Sequence, residues 1–193
     1  MAAQTRIRDI ARNAIRDELA QVALDRFRRD GFDNVTFDDL AAAAGVSRST
    51  VLRYFGSKEE VVLGVFGPLS DEMSQALVDR PLDENDWTAL RRSLDPVVEY
   101  LTRNLTETID LLRLIHATPA LCTGLREKSV TWHPVLTEVL TQRGSETPVV
   151  IAHVRVAAAL DCLTIALNVW ADSDGRLALT DILDEAFTAL TQQ

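Results

Sequence analysis

Apolar residues recur at intervals of three and four along almost the whole chain, a spacing that is typical of amphipathic helices. The first such segment runs from about Ile10 to Asp30 and ends at Gly31, a residue suited to the left-handed conformation that closes helices. No segment alternates between apolar and polar residues with a period of two, so no strand is predicted. The pattern predicts an all-α protein.

Two short helices are predicted next, each with its own start signal. Thr36 is followed three residues later by Asp39, which resembles a capping box for a helix over about 37–44. Ser47 is placed to cap a second helix over about 48–55. These two helices and the first one make a three-helix unit at the start of the chain.

A fourth helix begins with a full capping box, Ser57 and Glu60, and is predicted over about 58–78. Gly67-Pro68 is expected to kink or split it, because proline cannot donate the helical N–H. Further helices are predicted over about 86–103, 106–117, 120–142, 148–171 and 178–191.

The charge is divided unevenly along the chain. The 193 residues carry a net charge of −9, yet residues 1–58 hold ten Lys/Arg against eight Asp/Glu, whereas residues 59–193 hold ten against twenty-one. Such asymmetry is typical of a nucleic-acid contact attached to an acidic body. The negative net charge argues against a protein that coats nucleic acid over its whole surface.

The segment AAAAGVSRSTVLRYFGSK, residues 41–58, joins two predicted helices through a turn of three or four residues that contains Gly45. This is the helix-turn-helix arrangement, in which the first residues of the second helix reach base edges in the major groove. Val46, Val51 and Phe55 can share the inward face. The side chains that this leaves facing outward are Arg48, Ser49, Thr50, Arg53 and Tyr54.

These residue types suit DNA. Arg48 can bond guanine O6 and N7, and the hydroxyls of Ser49, Thr50 and Tyr54 suit phosphates or bases. Lys58 opens the fourth helix, where a phosphate would be favoured. Replacing Arg48 by Ala is expected to cost about 1–3 kcal/mol of specific binding, and replacing Lys58 should weaken binding uniformly and reduce the salt slope by about one.

The run VTFDDLAAAAGVSRSTVLRYFGSKEEVV resembles the DNA-binding motif of the TetR family of bacterial transcriptional repressors, and ALDRFRRDGFDNVT resembles that family's first helix. The similarity covers about residues 16–63. It implies that Thr36 and Ser47 also lie at the DNA. It further implies a homodimer with a DNA-binding helix-turn-helix domain over 1–58 and a helical ligand-binding and dimerisation domain over 59–193. A later run, ALCTGLREKSVTWHPVLTEVL, is similar to actinobacterial members of the mycofactocin-regulator type.

One position departs from the family pattern. Residue 52 is Leu, where the family usually has an aromatic residue. Leu52 shares the flank of Arg48, one helical turn away, and could pack on a thymine methyl instead of bonding a phosphate. Leu52→Tyr is therefore expected to change the base preference near the Arg48 contact.

The basic start of the chain leaves two interpretations open. Arg6, Arg8, Arg12 and Arg16 could form an arm along DNA, or they could belong to a solvated terminus. Arg16 lies closest to the predicted fold. The start also lacks the apolar stretch of a signal peptide, so a cytoplasmic protein is expected.

The segment 148–171 is apolar and long enough to span a membrane, but charged residues interrupt it, so a buried helix is favoured over a membrane span. With the last helix it offers more apolar surface than one small domain can cover, which indicates a dimer interface, as the resemblance also implies. Charge at Ala159 or Phe187 is expected to produce a monomer. The predicted interface residues are Ala159, Leu163, Leu167, Leu183, Ala186, Phe187 and Leu190.

The middle helices would hold a pocket for a hydrophobic or amphipathic effector, although each candidate could equally be plain core. Arg91 and Arg126 could meet a polar end of such a ligand. The predicted lining is Trp87, Leu90, Tyr100, Ile109, Leu112, Arg113, His116, Leu121 and Trp132.

No residue pattern indicates catalysis, a cofactor or a metal. The three histidines lie on different predicted helices without ligand spacing, and Cys122 and Cys162 form no motif. The sequence thus predicts a homodimeric regulator, a repressor in the first instance, that a small effector releases from a palindromic operator. The alternative is a helical ligand-binding or interaction protein whose DNA site has decayed.

Overall fold

The computed structural model describes residues 2–143 and 147–191, with side chains from residue 11 onward, and every regular element in these ranges is helical. The predicted all-α fold is confirmed. Helix α1 spans Ala2–Asp30, beginning before the predicted Ile10, and ends at Gly31 with a φ of +83°. The side chains of Arg6 and Arg8 lie outside the described residues.

Helices α2 (Phe37–Ala43) and α3 (Arg48–Tyr54) begin where their caps predict. The Asp39 N–H donates to the Thr36 hydroxyl at 3.2 Å, and the Thr36 N–H donates to the Asp39 carboxylate at 2.8 Å. The N–H of Thr50 donates to Ser47 Oγ at 3.2 Å. These bonds satisfy N–H groups that the first turn of a helix leaves free.

The linking helix is split in two. Helix α4 covers Lys58–Leu63, a single 3₁₀ turn follows at Gly64–Phe66, and α5 begins at Leu69 and ends at Val78. Pro68 stands immediately before α5, because a proline lacks the N–H that a continuous helix would need there. The chain therefore has a joint between its first helices and its body.

The helical body, α5 to α11, continues after a loop with α6 (Asp86–Ser93), α7 (Asp95–Thr102), α8 (Leu105–Ala117), α9 (Pro119–Gln142), α10 (Val149–Asp172) and α11 (Leu179–Ala189). The sequence predicts one helix over 86–103, but the chain breaks at Leu94. Pro96 explains this break, because it lies in the first turn of α7 and cannot extend α6.

The core runs without interruption from the three-helix unit into the body. Phe27 and Phe55 from the unit, Val62 and Phe66 from the linking segment, and Leu121 from α9 are all almost fully buried. Helix α9 also approaches α4 closely at a glycine. A Cβ on Gly124 would lie 2.7 Å from Leu63 Cδ1, so a larger residue there would require the Leu63 side chain to move.

Helix α10 has nine buried residues. Within residues 2–143 and 147–191 it is the one helix that is long and apolar enough to cross a membrane. Its Arg155 donates to the buried carboxylate of Asp86 at 2.7 Å, which ties α10 to α6. A helix held in this way by its neighbours is typical of a protein core.

Candidate nucleic-acid interface and ligand cavity

The turn between α2 and α3 is held by its backbone. Gly45 has a φ of +65°, which glycine adopts without a Cβ penalty. The N–H of Val46 donates to the carbonyl of Ala41 at 3.0 Å. Val51 and Phe55 then bury the inner face of α3 in the core. The opposite face of α3 is consequently turned away from the protein.

The outward face of α3 carries Arg48, Ser49, Leu52 and Arg53, all exposed. Arg48 Nε lies 3.7 Å from an Asp38 carboxylate oxygen, and both side chains are more than half exposed. Such a pair is weak and costs little to separate. The Arg53 guanidinium lies over the Tyr54 ring, 5.3 Å from its centroid. These side chains could meet a partner without any change in the core.

Several predicted contact residues already serve the fold. Ser47 Oγ lies 2.8 Å from Ser49 Oγ and 2.9 Å from Thr50 Oγ1. The Thr36 hydroxyl donates to the Asp39 carboxylate at 2.6 Å. This bond, with the one from the Thr36 N–H, holds the pKa of Asp39 below its usual value. Thr36 and Ser47 thus serve as helix caps. A DNA phosphate or base would have to bond to hydroxyls that already form hydrogen bonds within the protein.

Lys58 requires a correction. Its ammonium donates to the carbonyls of Phe32 and Val35, each at 2.9 Å, and lies 4.7 Å from the centroid of the Phe32 ring. The side chain is turned inward to the loop between α1 and α2, and the two carbonyls use two of the three N–H donors of its ammonium group. The sequence-based prediction missed this because a lysine at a helix start suggests an anion, whereas here two carbonyls use its donors.

Arg16 is likewise committed. It pairs with Glu60 at 3.3 Å and lies over the Phe55 ring, 5.5 Å from its centroid. This geometry joins α1 to α4 and does not support an arm formed by Arg16. Arg12 is exposed and lies with Arg53 at a shallow depression between α1 and α3.

A cavity of about 150 Å³ lies in the helical body. Its walls come from the linking segment, α5 and the middle helices, and one side is formed by α10. Most of the walls are apolar. The lining residues are Phe66, Leu69, Val97, Leu101, Leu112, Ile115, His116, Cys122, Leu125, Arg126, Ser129, Trp132, Leu160, Leu163, Thr164, Leu167 and Asn168.

Three of the predicted pocket residues, Leu112, His116 and Trp132, line this cavity. The other six lie elsewhere. The Trp87 ring packs on Phe187, with centroids 4.5 Å apart, and its N–H donates to the Phe187 carbonyl. Arg113 pairs with Asp110 and Asp174 on the surface. Leu90, Ile109 and Leu121 are plain core, and Tyr100 faces grooves beside α1.

The cavity has a polar side. His116 and Arg126 are exposed at its edge, and neither is paired with a carboxylate among the described side chains. Cys122 lies on the wall and donates its thiol to the Ile115 carbonyl at 3.2 Å. The sequence missed the contribution of α10, although Leu160, Leu163 and Leu167 form a stripe at helical spacing.

The predicted dimer-interface residues also need correction. Ala159, Leu163, Leu183 and Phe187 are buried within the single chain. Leu167 is partly buried at the cavity and Ala186 is partly buried on α11, while Leu190 is exposed. A periodic apolar stripe does not reveal whether it packs on its own chain or on a copy. Four exposed apolar residues share one side of α10, Val150, Val154, Ile165 and Val169, and are called the exposed stripe of α10; Val149 and Ile151 are also exposed at the start of the helix.

The sequence treated the histidines as isolated, but two of them meet. The rings of His133 on α9 and His153 on α10 stack with centroids 5.1 Å apart. Within the described part of the chain, no three His, Cys, Asp or Glu side chains converge on a point that could hold a metal ion. Cys162 is buried, and burial raises the pKa of its thiol.

A helix-turn-helix unit with an exposed basic recognition face, attached to a helical body that encloses a cavity, defines the class of DNA-binding transcriptional regulators. The profile of bacterial regulatory proteins of the tetR family matches residues 19–65, and the profile of the MftR C-terminal domain matches residues 84–193. The second match covers more than half of the chain. The chain belongs to the TetR family, whose members are transcriptional regulators and not enzymes.

Two relatives agree with this assignment. MftR of Mycobacterium tuberculosis, whose name describes it as a mycofactocin biosynthesis transcriptional regulator, is 29% identical over 179 residues, which cover 88% of this chain and 85% of MftR. TcmR, an HTH-type transcriptional regulator of Streptomyces glaucescens, is 28% identical over 134 residues, which cover 66% of this chain and 59% of TcmR.

Solved structures share the fold. FadR of Bacillus subtilis, in complex with stearoyl-CoA, has a TM-score of 0.61 and 16% identity, covering 91% of this chain and 97% of that one. The fatty acid degradation regulator FadR of Bacillus halodurans has a TM-score of 0.62 and 18% identity, with the same coverage. At such identities the likeness concerns the fold alone.

Proposed function

We propose that this regulator binds a double-stranded DNA operator through α3 and represses transcription until a small molecule releases it. The observation that carries the proposal is the outward face of α3, where Arg48, Ser49 and Arg53 are exposed on a helix whose other face is anchored in the core. Guanidinium groups in that position read guanine in the major groove. The proposed DNA-binding domain is 1–58, and its proposed contacts are Thr36, Ser47, Arg48, Ser49, Thr50, Leu52, Arg53 and Tyr54.

Footprinting of the intact protein on genomic DNA tests this proposal. Enriched sites should appear, and Arg48→Ala should lose about 1–3 kcal/mol of binding to them while losing less on random DNA. Arg92→Ala is the matched control, because that exposed arginine lies on α6, which packs on α5, α7 and α10. No enrichment over random DNA would overturn the proposal in favour of a helical ligand-binding protein with a decayed DNA site.

The proposed regulator is a homodimer that pairs through the exposed stripe of α10. Val150 and Val154 are 73% and 62% exposed, and Ile165 is 55% exposed. The exposed Asp161 lies within this stripe, but an exposed apolar face of this kind marks an interface. Leu190 of α11 would extend it. A two-fold axis that relates α10 to its copy would present two copies of α3 to a palindromic operator. The half-sites would lie one helical turn or a multiple apart.

The proposed effector is amphipathic, with an apolar part in the cavity and an anionic part near Arg126 and His116. The apolar walls support this class, and so do the two basic side chains at the edge, which pair with no carboxylate of a described residue. FadR of Bacillus subtilis shares the fold and was solved with stearoyl-CoA, which supports acyl chains with an anionic end as the first compounds to try.

The effector is proposed to act at the joint between α4 and α5. Phe66 and Leu69 flank this joint and both line the cavity. The cavity is smaller than the roughly 300–1,000 Å³ of drug-sized ligand sites, so a larger ligand must displace its walls. Displacement of Phe66 would move α4 and the three-helix unit together. A ligand that binds the moved state better shifts the population away from DNA.

Release of bound operator by free fatty acids, their CoA thioesters and their uncharged esters tests the effector class. Anionic compounds should release DNA at lower concentration than uncharged ones, and Arg126→Ala should remove that difference. Arg113→Ala, outside the cavity, should keep it. Equal potency of charged and uncharged compounds in the unsubstituted protein would contradict the role of Arg126. The proposed site of action is the bacterial cytoplasm.

A further inference from the structure

Leu52 is the one side chain on the outward face of α3 that cannot form a hydrogen bond. Among the described side chains of residues 11–58, two large apolar ones are exposed, Ile15 and Leu52. Ile15 lines a depression together with Tyr54. Leu52 is 39% exposed and belongs neither to the buried core nor to the apolar side chains packed on it. The hydrophobic core therefore does not account for this leucine.

The helical geometry places Leu52 centrally on that face. At about 100° per residue, Leu52 falls between Arg48 and Ser49 when the helix is viewed along its axis. Both of those neighbours are polar and exposed. An apolar side chain held between two base-reading side chains faces the same groove floor as they do.

We propose that Leu52 reads the 5-methyl group of a thymine in each half-site, beside the base pair that Arg48 contacts. This inference rests on the proposed function of α3. Within the major groove, the thymine methyl is the apolar group that a base pair presents, whereas the other base edges are hydrogen-bond donors or acceptors. Leu52 removes water from whichever edge it covers.

The same contact disfavours the other bases. Cytosine has only a hydrogen at the position of the methyl and loses the contact, whereas adenine and guanine would place N7 against a side chain that offers no bond in return. A polar group that loses water without gaining a partner is costly, so leucine adds a penalty against these bases as well as an attraction to thymine. We expect the operator to have a strongly preferred thymine at this position.

Replacing thymine by deoxyuridine tests the proposal, since this change removes the methyl and leaves the pairing and hydrogen-bonding groups unchanged. The operator is first selected from a random library with the intact protein, and each thymine is then replaced singly. One thymine per half-site should lose about fourfold in affinity when its methyl is removed, the value for one buried methyl. The affinity is measured by fluorescence anisotropy.

Three variants sharpen the result. Leu52→Ala should bind more weakly and become insensitive to deoxyuridine at that position. Leu52→Met should keep the sensitivity, because it still presents an apolar surface. Ile15→Ala is the matched control, an exposed apolar residue of the same unit, and should keep it too.

Two results would overturn the inference. One is an operator in which no thymine responds to loss of its methyl, and the other is a response that persists in Leu52→Ala. Failure to select any DNA sequence would instead overturn the proposed function, and the inference would fall with it. An operator without a methyl-sensitive thymine leaves the proposed function standing and points to a protein partner for Leu52.

Discussion

Helices α3 and α10 each turn one face away from the chain, and the two faces are built differently. On α3 the face is charged and hydroxylic, with Arg48, Ser49 and Arg53 around a single leucine. On α10 it is β-branched and apolar, from Val150 to Val169. The first face suits a polyanion and the second suits a copy of itself. The proposed dimeric regulator would use both faces, because a two-fold axis would pair its two recognition helices.

The two regions also differ in how their positions are determined. The caps Thr36 and Ser47 bond to N–H groups three residues away, so α2 and α3 are fixed by short stretches of sequence. The faces of α10 and α11 are fixed by which helices pack beside them. Local bonds are visible in a sequence, whereas packing between distant helices is not.

The largest expected effect is a loss of stability in the helical body. Phe187→Asp should lower the free energy of unfolding by more than about 4 kcal/mol, because it removes a buried ring and places a carboxylate in the core. Thermal unfolding followed by circular dichroism measures this. A stable, folded monomer would restore Phe187 to the dimer interface.

The next effect separates the exposed stripe of α10 from the core. Ile165→Lys should leave the thermal stability of the protomer intact and abolish the dimer, with a loss of operator affinity of about 100-fold or more, about 2.7 kcal/mol. Light scattering and anisotropy check the two parts. Leu82→Lys, at a similarly apolar and still more exposed residue in the loop after α5, should change neither. A dimer that survives in the Ile165 variant would locate the interface elsewhere.

A substitution at Lys58 tests whether its ammonium group stabilises the three-helix unit by bonding to the α1–α2 loop. Lys58→Met should destabilise the protein by about 2 kcal/mol, because two carbonyls lose a charged donor. Under conditions in which the variant is fully folded, the dependence of its operator affinity on salt concentration should be unchanged. A salt slope reduced by about one would mean that Lys58 contacts a phosphate after all.

Ser47 and Ser49 offer a matched pair at the start of α3. Ser47→Ala should cost about 1 kcal/mol of stability, since it removes the N-cap. Ser49→Ala, on the exposed face, should leave stability unchanged and weaken operator binding. Chemical denaturation and anisotropy on both variants distinguish the roles, and equal stability losses would show that the two hydroxyls act as one cap.

The smallest effect concerns pH. The bonds from Thr36 lower the pKa of Asp39 below its ordinary 3.8. The stabilisation is therefore fully present above that ordinary value and is lost as the pH falls through the lower folded pKa. The difference in stability between the unsubstituted protein and Asp39→Asn should be constant near neutral pH and shrink at acid pH. A difference that does not change with pH would show that the carboxylate's charge is irrelevant to the cap.

The sequence predicted the helix-turn-helix almost to the residue, because Gly45, Ser47 and Ser57 act through their immediate neighbours. It predicted the break at Gly67-Pro68 for the same reason, yet missed the one that Pro96 imposes between α6 and α7. It assigned Lys58 to DNA because the carbonyls of Phe32 and Val35 lie more than twenty positions earlier in the chain. Such a partner emerges only once the α1–α2 loop is folded.

The cavity was predicted least well. Leu112, His116 and Trp132 line it, but the wall from α10 was assigned to the dimer interface instead. Leu163 and Val154 lie on the same apolar helix and have similar hydropathy, so nothing local tells which faces the cavity and which faces outward. Only the positions of α8 and α9 beside α10 separate the two.

The joint at Gly64–Pro68 has a consequence for how the regulator would be tuned. Phe66 lies in the joint, Leu69 directly follows it, and both line the cavity. An effector in the cavity would therefore lie against the joint itself. The size of its apolar part would then set how far α4 moves. A series of compounds with one head group and increasing chain length should give a graded reduction in operator occupancy, and the cell could read chain length as well as concentration.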